Sequence, residues 1–342
     1  MNEENQFLPT GKLRPEFLKN LLQNYTFSDE QVVIGPGIGV DATVIDAGDY
    51  FLIAKTDPIT FVADDIGAYA VAVNSNDIAC MGGIPKWFLG TLLLPENSTT
   101  EADVEKIFSQ ISKACKKLDI AFCGGHTEIT YGLDRAILVG QMLGVAGKQD
   151  LIQPKETREG DRVILTKGIA IEAVSIIARE MEEKIIPSAT ADFIEKCKKF
   201  IYDPGISVLA DAKAAMEIGG IHAMHDPTEG GLAQALHELA EATELGIRIW
   251  EKEIPVLPEA KFLCDLFELN VLGAIASGGL LIVAERKKST QIVRHLRTKN
   301  IYARIIGKMM PKEYGQKIVT RSGAETDLPE FSSDEITKIF RN

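Results

Sequence analysis

Long apolar runs are missing from this sequence. Across 342 residues there is no uninterrupted apolar stretch of about 18, the length a bilayer-spanning helix needs, so no membrane partner is expected. The opening "MNEENQFLPTGKL" has neither a basic n-region nor an apolar h-region, and no secretory signal is expected. Cysteine is sparse. Cys80, Cys115, Cys123, Cys197 and Cys264 are odd in number and never spaced C-x-x-C, which argues against a disulfide framework or a structural zinc site and for a reducing, cytoplasmic setting. Basic charge is also short: the net charge is −12, and a nucleic-acid partner calls for a basic footprint. Short repeats, low-complexity tracts and heptads are absent.

What is present is an ordinary globular composition, 45% apolar and 25% charged, in a chain long enough for two domains. From residue 31 to 62, short apolar runs alternate with glycine and aspartate and read as strands. "DDIGAYAVAVNSNDIACMG" reads as a helix, "KWFLGTLLLP" as a strand, and Thr100 to Leu118 as a second helix. The polar stretch "GKQDLIQPKETREGD" marks a hinge near residue 150, after which strands and helices resume with "RVILTKG" and "IAIEAVSIIAREME". The expected organisation is an α/β (α+β) chain with an N-terminal domain over 1–150, a C-terminal α/β domain over 151–310 and a polar tail over 311–342.

"FLIAKTDPITF" is an apolar strand that carries Lys55 and Asp57 at its tip, with Pro58 expected to end regular pairing. Asp41 follows the glycine turn "GIGVDA", and Asp77 lies in the helix segment "VNSNDIA" among apolar neighbours, where a charge needs a partner. The glycine turn fits G-x-G-x-x-A, yet a strand follows it where a dinucleotide site needs a helix, so the Rossmann reading fails; no P-loop occurs either. Carboxylates at element ends suit magnesium, a hard cation held by oxygen, and phosphoryl transfer adds a cation such as Lys55. Gly37 and Gly39 allow backbone N–H groups to approach phosphate. The plainer alternative is a turn aspartate and a solvated helical one.

"IAFCGGHTEIT" reads as a strand, and within it "CGGHTEIT" as a glycine-rich turn at the strand end, with His126, Thr127 and Glu128 facing a ligand or simply capping a hairpin. "HDPTEGG" leads into a helix whose free N–H groups favour anions. His222-x-x-His225 with Asp226 lacks a third strong ligand, so zinc is not expected there.

In order, "GIGVDATVID", "AKTDPITF", "DIGAYAVAVNSNDIACMGGIP", "GGHTEIT", "GDRVILTKGIAIE" and "HDPTEGGL" resemble the AIR synthase (PurM)-related superfamily, and within it the HypE hydrogenase-maturation and AIR synthase-related branches. The resemblance implies a PurM-like N-terminal domain with a mixed sheet that pairs in a homodimer, and ATP with Mg2+ in a cleft near that pairing. It further implies Asp41, Asp57, Asp77 and Asp226 as metal ligands. Gly37, Gly39, Lys55, Asn76, Gly124, Gly125 and Thr127 would contact the nucleotide, and Lys55, Asp57, His126 and Glu128 would be the catalytic candidates.

The chain ends "SSDEITKIFRN" without the cysteine on which HypE carries its substrate. The expected activity is therefore magnesium-dependent transfer of the ATP γ-phosphoryl group to an amide, carbonyl or phosphate oxygen of a small or protein-borne acceptor. Alternatives are a HypE-like factor acting on a partner's thiocarboxamide and an ATP-binding scaffold without turnover.

Overall fold

The computed structural model describes residue 8 and residues 11–27, 29–60, 62 and 64–340. Most of the opening segment read above for a secretory signal, and the last two residues of the expected tail, lie outside this range. No helix among the described residues is long and apolar enough to cross a membrane.

The first sheet has six strands: β1 (Val32–Ile34), β2 (Thr43–Asp46), β3 (Phe51–Ile59), β4 (Ile84–Pro95), β5 (Ala121–Thr130) and β6 (Ile137–Ala146). Their order is β1-β2-β3-β6-β4-β5, and only the β4–β5 pair is parallel. A parallel neighbour needs a crossover, here the Glu101–Lys117 helix. Thr100 and Asp103 close a reciprocal capping box at its start, satisfying two otherwise free N–H groups.

The Ile66–Cys80 helix is buried on nearly every side, which explains its lack of a polar face. It lies between the first sheet and the second domain. Gly140 and Gly144 of β6 make this possible: a Cβ there would sit 2.3 Å from Asn74 Nδ2 and 2.3 Å from Ile78 Cγ2. One apolar core runs from this sheet through the helix to the Ile171–Glu180 and Ala191–Lys198 helices and on to Ile336 and Ile339. Each such fully buried aliphatic side chain stabilises the fold by about 1.5–3 kcal/mol, so the two domains are held by shared core as well as by chain.

The second sheet comprises β7 (Arg162–Thr166), β8 (Ile221–His225), β9 (Gly246–Trp250), β10 (Leu281–Ala284), β11 (Ala303–Met310), β12 (Gln316–Val319) and β13 (Glu325–Asp327). Their order is β13-β12-β9-β11-β7-β10-β8. The Gly231–Thr243 helix covers one face with Leu232, Leu236 and Leu239.

Three expectations change. The segment from 311 on, expected as a polar tail, supplies β12 and β13 to the second sheet and ends in a 3-10 helix, Glu335–Phe340, whose Ile336 and Ile339 are buried. "CGGHTEIT" is no turn: it lies within β5, and a register shift opposite Phe88 and Leu89 lets the double glycine stay paired with β4. Pro58 does not end β3, which continues to Ile59 beside β6; the proline removes one donor, a single residue from the strand end.

Candidate functional site

β2 pairs with β3 only as far as Ala54, so the far half of β3 has one free edge. Asn74 takes that edge. It accepts from Asp57 N at 2.9 Å and donates to Asp57 O at 3.3 Å. With its backbone held this way, β3 presents Lys55 and Asp57 on the face toward the Ile66–Cys80 helix. Lys55 Nζ lies 3.2 Å from Asp57 Oδ2 and 3.3 Å from Asp77 Oδ2.

The loop after β8 brings in the second domain. His225 Nδ1 is 2.7 Å from Asp41 Oδ1, an ion-pair contact, and His225 Nε2 is 2.9 Å from Glu238 Oε2. Lys12, arriving from the N-terminal segment, is 3.6 Å from Glu238 and 3.3 Å from Thr228 Oγ1. Cys80 Sγ points at Asp226 Oδ1 from 3.6 Å. The loop before β2, which carries Asp41, approaches closely because Gly39, at φ +69°, rests on the Gly231–Thr243 helix, where a Cβ would stand 2.5 Å from Glu238 O.

The electrostatics follow from burial. Burial alone would discharge Lys55, but Asp77, Asp57 and Asp41 outweigh it and hold the ammonium charged. Burial raises the Asp77 carboxyl well above the usual carboxylate range; Lys55 opposes this, while Asp226, Asp57 and Asp41 add to it. Asp226 is pushed up to about 6, by burial first and by Asp41 next. For His225, burial disfavours the charge, yet Asp41 and Glu238 raise its pKa well above the ordinary imidazole value. Glu238 resists its own burial and falls to about 2 because His225 and Lys12 face it. Five carboxylates (Asp41, Asp57, Asp77, Asp226, Glu238) thus face three cations (Lys12, Lys55, His225). Asp226 Oδ2 has no hydrogen-bond partner, and Asp77 Oδ2 meets the Lys55 ammonium at 3.3 Å without a hydrogen bond of good geometry. Buried carboxylate oxygens short of donors, among more acids than cations, fit a hard divalent cation.

Asp41, His225 and Asp226 also form a group whose ligand atoms all lie within 4.8 Å of one another. A third ligand therefore does join the His-Asp pair, from the loop before β2, which local sequence spacing could not reveal. His222 stays outside it, held at 2.7 Å by Asp161.

The charged group adjoins, through Asp57 and Lys12, a cleft of about 650 Å³ between the domains, and this junction is the head of the cleft. Asp57, Ile59 and Val73 line it from the first domain, and Glu172, Thr228 and Ser277 from the second. Thr337 and Phe340 of the terminal 3-10 helix also line it. Asp334 anchors that helix, accepting from Gly230 N at 2.6 Å and Ile275 N at 3.2 Å.

Asn76 lies beside Asp226 and favours its charged form; it also donates to Ile206 O and accepts from Val208 N, both at 2.9 Å, tying the helix to the second domain. Other expected residues sit elsewhere. Gly124, Gly125, His126, Thr127 and Glu128 are exposed on the edge strand β5, with β6 and β4 between them and β3, about 14 Å at the usual strand spacing. His126 Nε2 meets only Glu128, at 3.0 Å. Lys12, Glu172, Ser277 and Glu238 were not anticipated. For Glu172 a signal existed: an acid set within "IAIEAVSIIA" is as conspicuous as Asp77.

Fold and site together define a two-domain α/β protein with an acid- and lysine-headed cleft at the domain junction. The chain belongs to the AIR synthase-related family. Residues 39–146 match the AIR synthase related protein, N-terminal domain, and residues 158–319 match the corresponding C-terminal domain. A Methanocaldococcus jannaschii protein whose name refers to hydrogenase expression and formation is 31% identical, over 93% of this chain and 94% of its own. Carbamoyl dehydratase HypE of Rhizobium leguminosarum is 25% identical over 82% of this chain and 79% of its own. Among solved structures, hydrogenase maturation protein HypE in complex with ATP superposes with a TM-score of 0.71 at 19% identity, covering 92% of this chain and 91% of that one.

Proposed function

We propose that this protein is a magnesium-dependent ATP-using enzyme that transfers the γ-phosphoryl group to an amide, carbonyl or phosphate oxygen of an acceptor bound in the interdomain cleft. The observation that carries this reading is the meeting of Lys55 with Asp57, Asp77 and Asp226 at the head of that cleft. A similar fold has been solved with ATP bound, which adds support.

Asp57, Asp77 and Asp226 would hold magnesium, with Asp41 shared between the ion and His225. When bound, the ion neutralises phosphate charge and aligns the phosphoryl group. Lys55, kept protonated by its acids, stabilises negative charge that develops on the transferred group. Asn74 keeps the β3 tip rigid, so that Lys55 and Asp57 need no rearrangement on binding. The apolar lining from Ile59, Val73, Ile176 and Ile275 keeps water from competing with the acceptor.

We also infer that a second copy covers the outer face of the first sheet. That face exposes Leu52, Leu89, Leu93, Val139, Leu143 and Val145 in part, and its edge is β5 with Ile129 57% exposed. The exposed Gly124, Gly125, His126, Thr127 and Glu128 would then lie at the seam between copies. Light scattering should give twice the chain mass; a stable monomer contradicts the pairing.

The test of the activity is calorimetry of ATP with and without magnesium, on the native protein and on Asp57→Asn. Binding that requires both magnesium and Asp57 supports the reading. Equal binding by Asp57→Asn would sink it.

A further inference from the structure

The wall that the second domain supplies to the cleft contains a buried acid that the nucleotide site leaves unused. Glu172 occupies the first turn of the Ile171–Glu180 helix, is 5% exposed, and lines the cleft. Its Oε2 has no hydrogen-bond partner, and neither has the hydroxyl of Ser277, 1% exposed and lining the same wall. Buried polar atoms of native proteins are nearly always satisfied, so two unsatisfied neighbours facing one cavity mark the place of a ligand.

We propose that Glu172 is the proton acceptor for the phosphoryl acceptor, and that Ser277 fixes the acceptor beside it. This rests on the phosphoryl-transfer reading above and extends it to the acceptor, which must carry an ionisable or tautomeric O–H or N–H. Glu172 Oε2 takes that proton. The acceptor's freed electron pair forms the bond to the γ-phosphorus, and the bond from phosphorus to the bridging oxygen breaks with its electrons leaving on ADP. The proton then passes to solvent.

The surroundings are those of a base matched to neutral pH. Burial pushes Glu172 up to about 7; the adjoining Ser277 opposes this, and the nearby acids Asp334 and Glu229 add to it. Tyr69, fully buried beneath the helix, faces the same carboxylate and stays protonated, its own pKa raised by burial and then by Glu172. The groups acting most strongly on Glu172 are Ser277, Asp334 and Glu229, whereas Lys55 acts on both Asp77 and Asp226. Lys12 and Arg135 also line the cleft.

The experiment uses the full chain. ATP binding with magnesium is measured by calorimetry, and ADP formation is followed from pH 5.5 to 9 with water, acetamide and hydroxylamine as acceptors. Native ADP formation should rise as pH climbs through about 7. Glu172→Gln should bind magnesium–ATP as the native protein does, lose ADP formation by about 100- to 10,000-fold and lose the acid limb, the scale of general-base catalysis. Formate should restore part of the rate to Glu172→Ala, which a purely structural role does not allow. ADP formation by Glu172→Gln at the native rate overturns the proposal. So does ATP binding by the native protein without ADP from any of the three acceptors, while leaving the nucleotide reading standing. Failure of the native protein to bind ATP removes that reading, and this inference with it.

Discussion

The head of the cleft and the β5 edge carry similar residues, acids and a histidine beside paired glycines, yet their physics is opposite. At the cleft head His225 is buried between Asp41 and Glu238, and every charge is held by several others. On β5, His126 and Glu128 meet in solvent, 64% and 50% exposed. A charge–charge contact has structural weight when burial leaves it no alternative to its partner, and little when water competes. At β5 the backbone carries the constraint: Gly125 stands at φ +142°, with an added Cβ only 2.0 Å from Gly90 O.

The largest break in this contrast should come from Lys55→Met. It leaves Asp57 and Asp77 facing each other without their cation, and the expected loss is about 3–5 kcal/mol in denaturant unfolding. A loss below that of the exposed pairs would mean that water reaches the cleft head. Next is Asn76→Ala, which orphans Ile206 O and Val208 N between the domains. Its expected cost is about 2–4 kcal/mol, two groups each in the lower part of the about 1–3 that a buried unsatisfied group costs. A similar loss should appear on acidification. Glu238 sits at about 2 against an ordinary 4.5, so its stabilising contribution is complete above 4.5 and is lost as pH falls from there toward 2. The native denaturant midpoint should therefore drop across that window, and that of Glu238→Gln should drop less; parallel curves would deny the His225–Glu238 bond its role.

On the exposed edge, Gly125→Ala should cost about 1–3 kcal/mol through backbone strain alone. His126→Ala should change the stability of the dissociated chain, measured at high dilution, by less than about 0.5 kcal/mol, as for an isolated surface pair. At concentrations where copies pair over β5, the same variant should cost more and the midpoint should depend on protein concentration; no such dependence contradicts the pairing.

The same contrast explains what the sequence made legible. The β3 tip was readable because apolar alternation, a lysine and an aspartate fall within one short segment, and Asp77 because it interrupts an apolar helix. The order of strands and helices in both halves followed from periodicity. Glu238, Lys12 and the third ligand for the His225–Asp226 pair were not readable, because each reaches the site from a distant element and only the fold brings them together. "CGGHTEIT" misled for a related reason. Paired glycines signal a turn locally, and the neighbouring strand β4 supplied the partner that kept them extended. The terminal segment looked polar because its buried apolar residues, Ile318, Leu328, Ile336 and Ile339, are few among many polar ones, yet the last two enter the shared core.

The most direct test of the central claim, that the buried acids at the cleft head exist to receive magnesium and ATP, is the gain in unfolding stability when both are added. Native protein at a hundredfold excess over the dissociation constant should gain about 2.7 kcal/mol. Asp77→Asn should gain almost nothing, while His126→Ala should gain as much as the native chain. An equal gain in Asp77→Asn would contradict the account, because the ligand would then be held somewhere other than the head of the cleft.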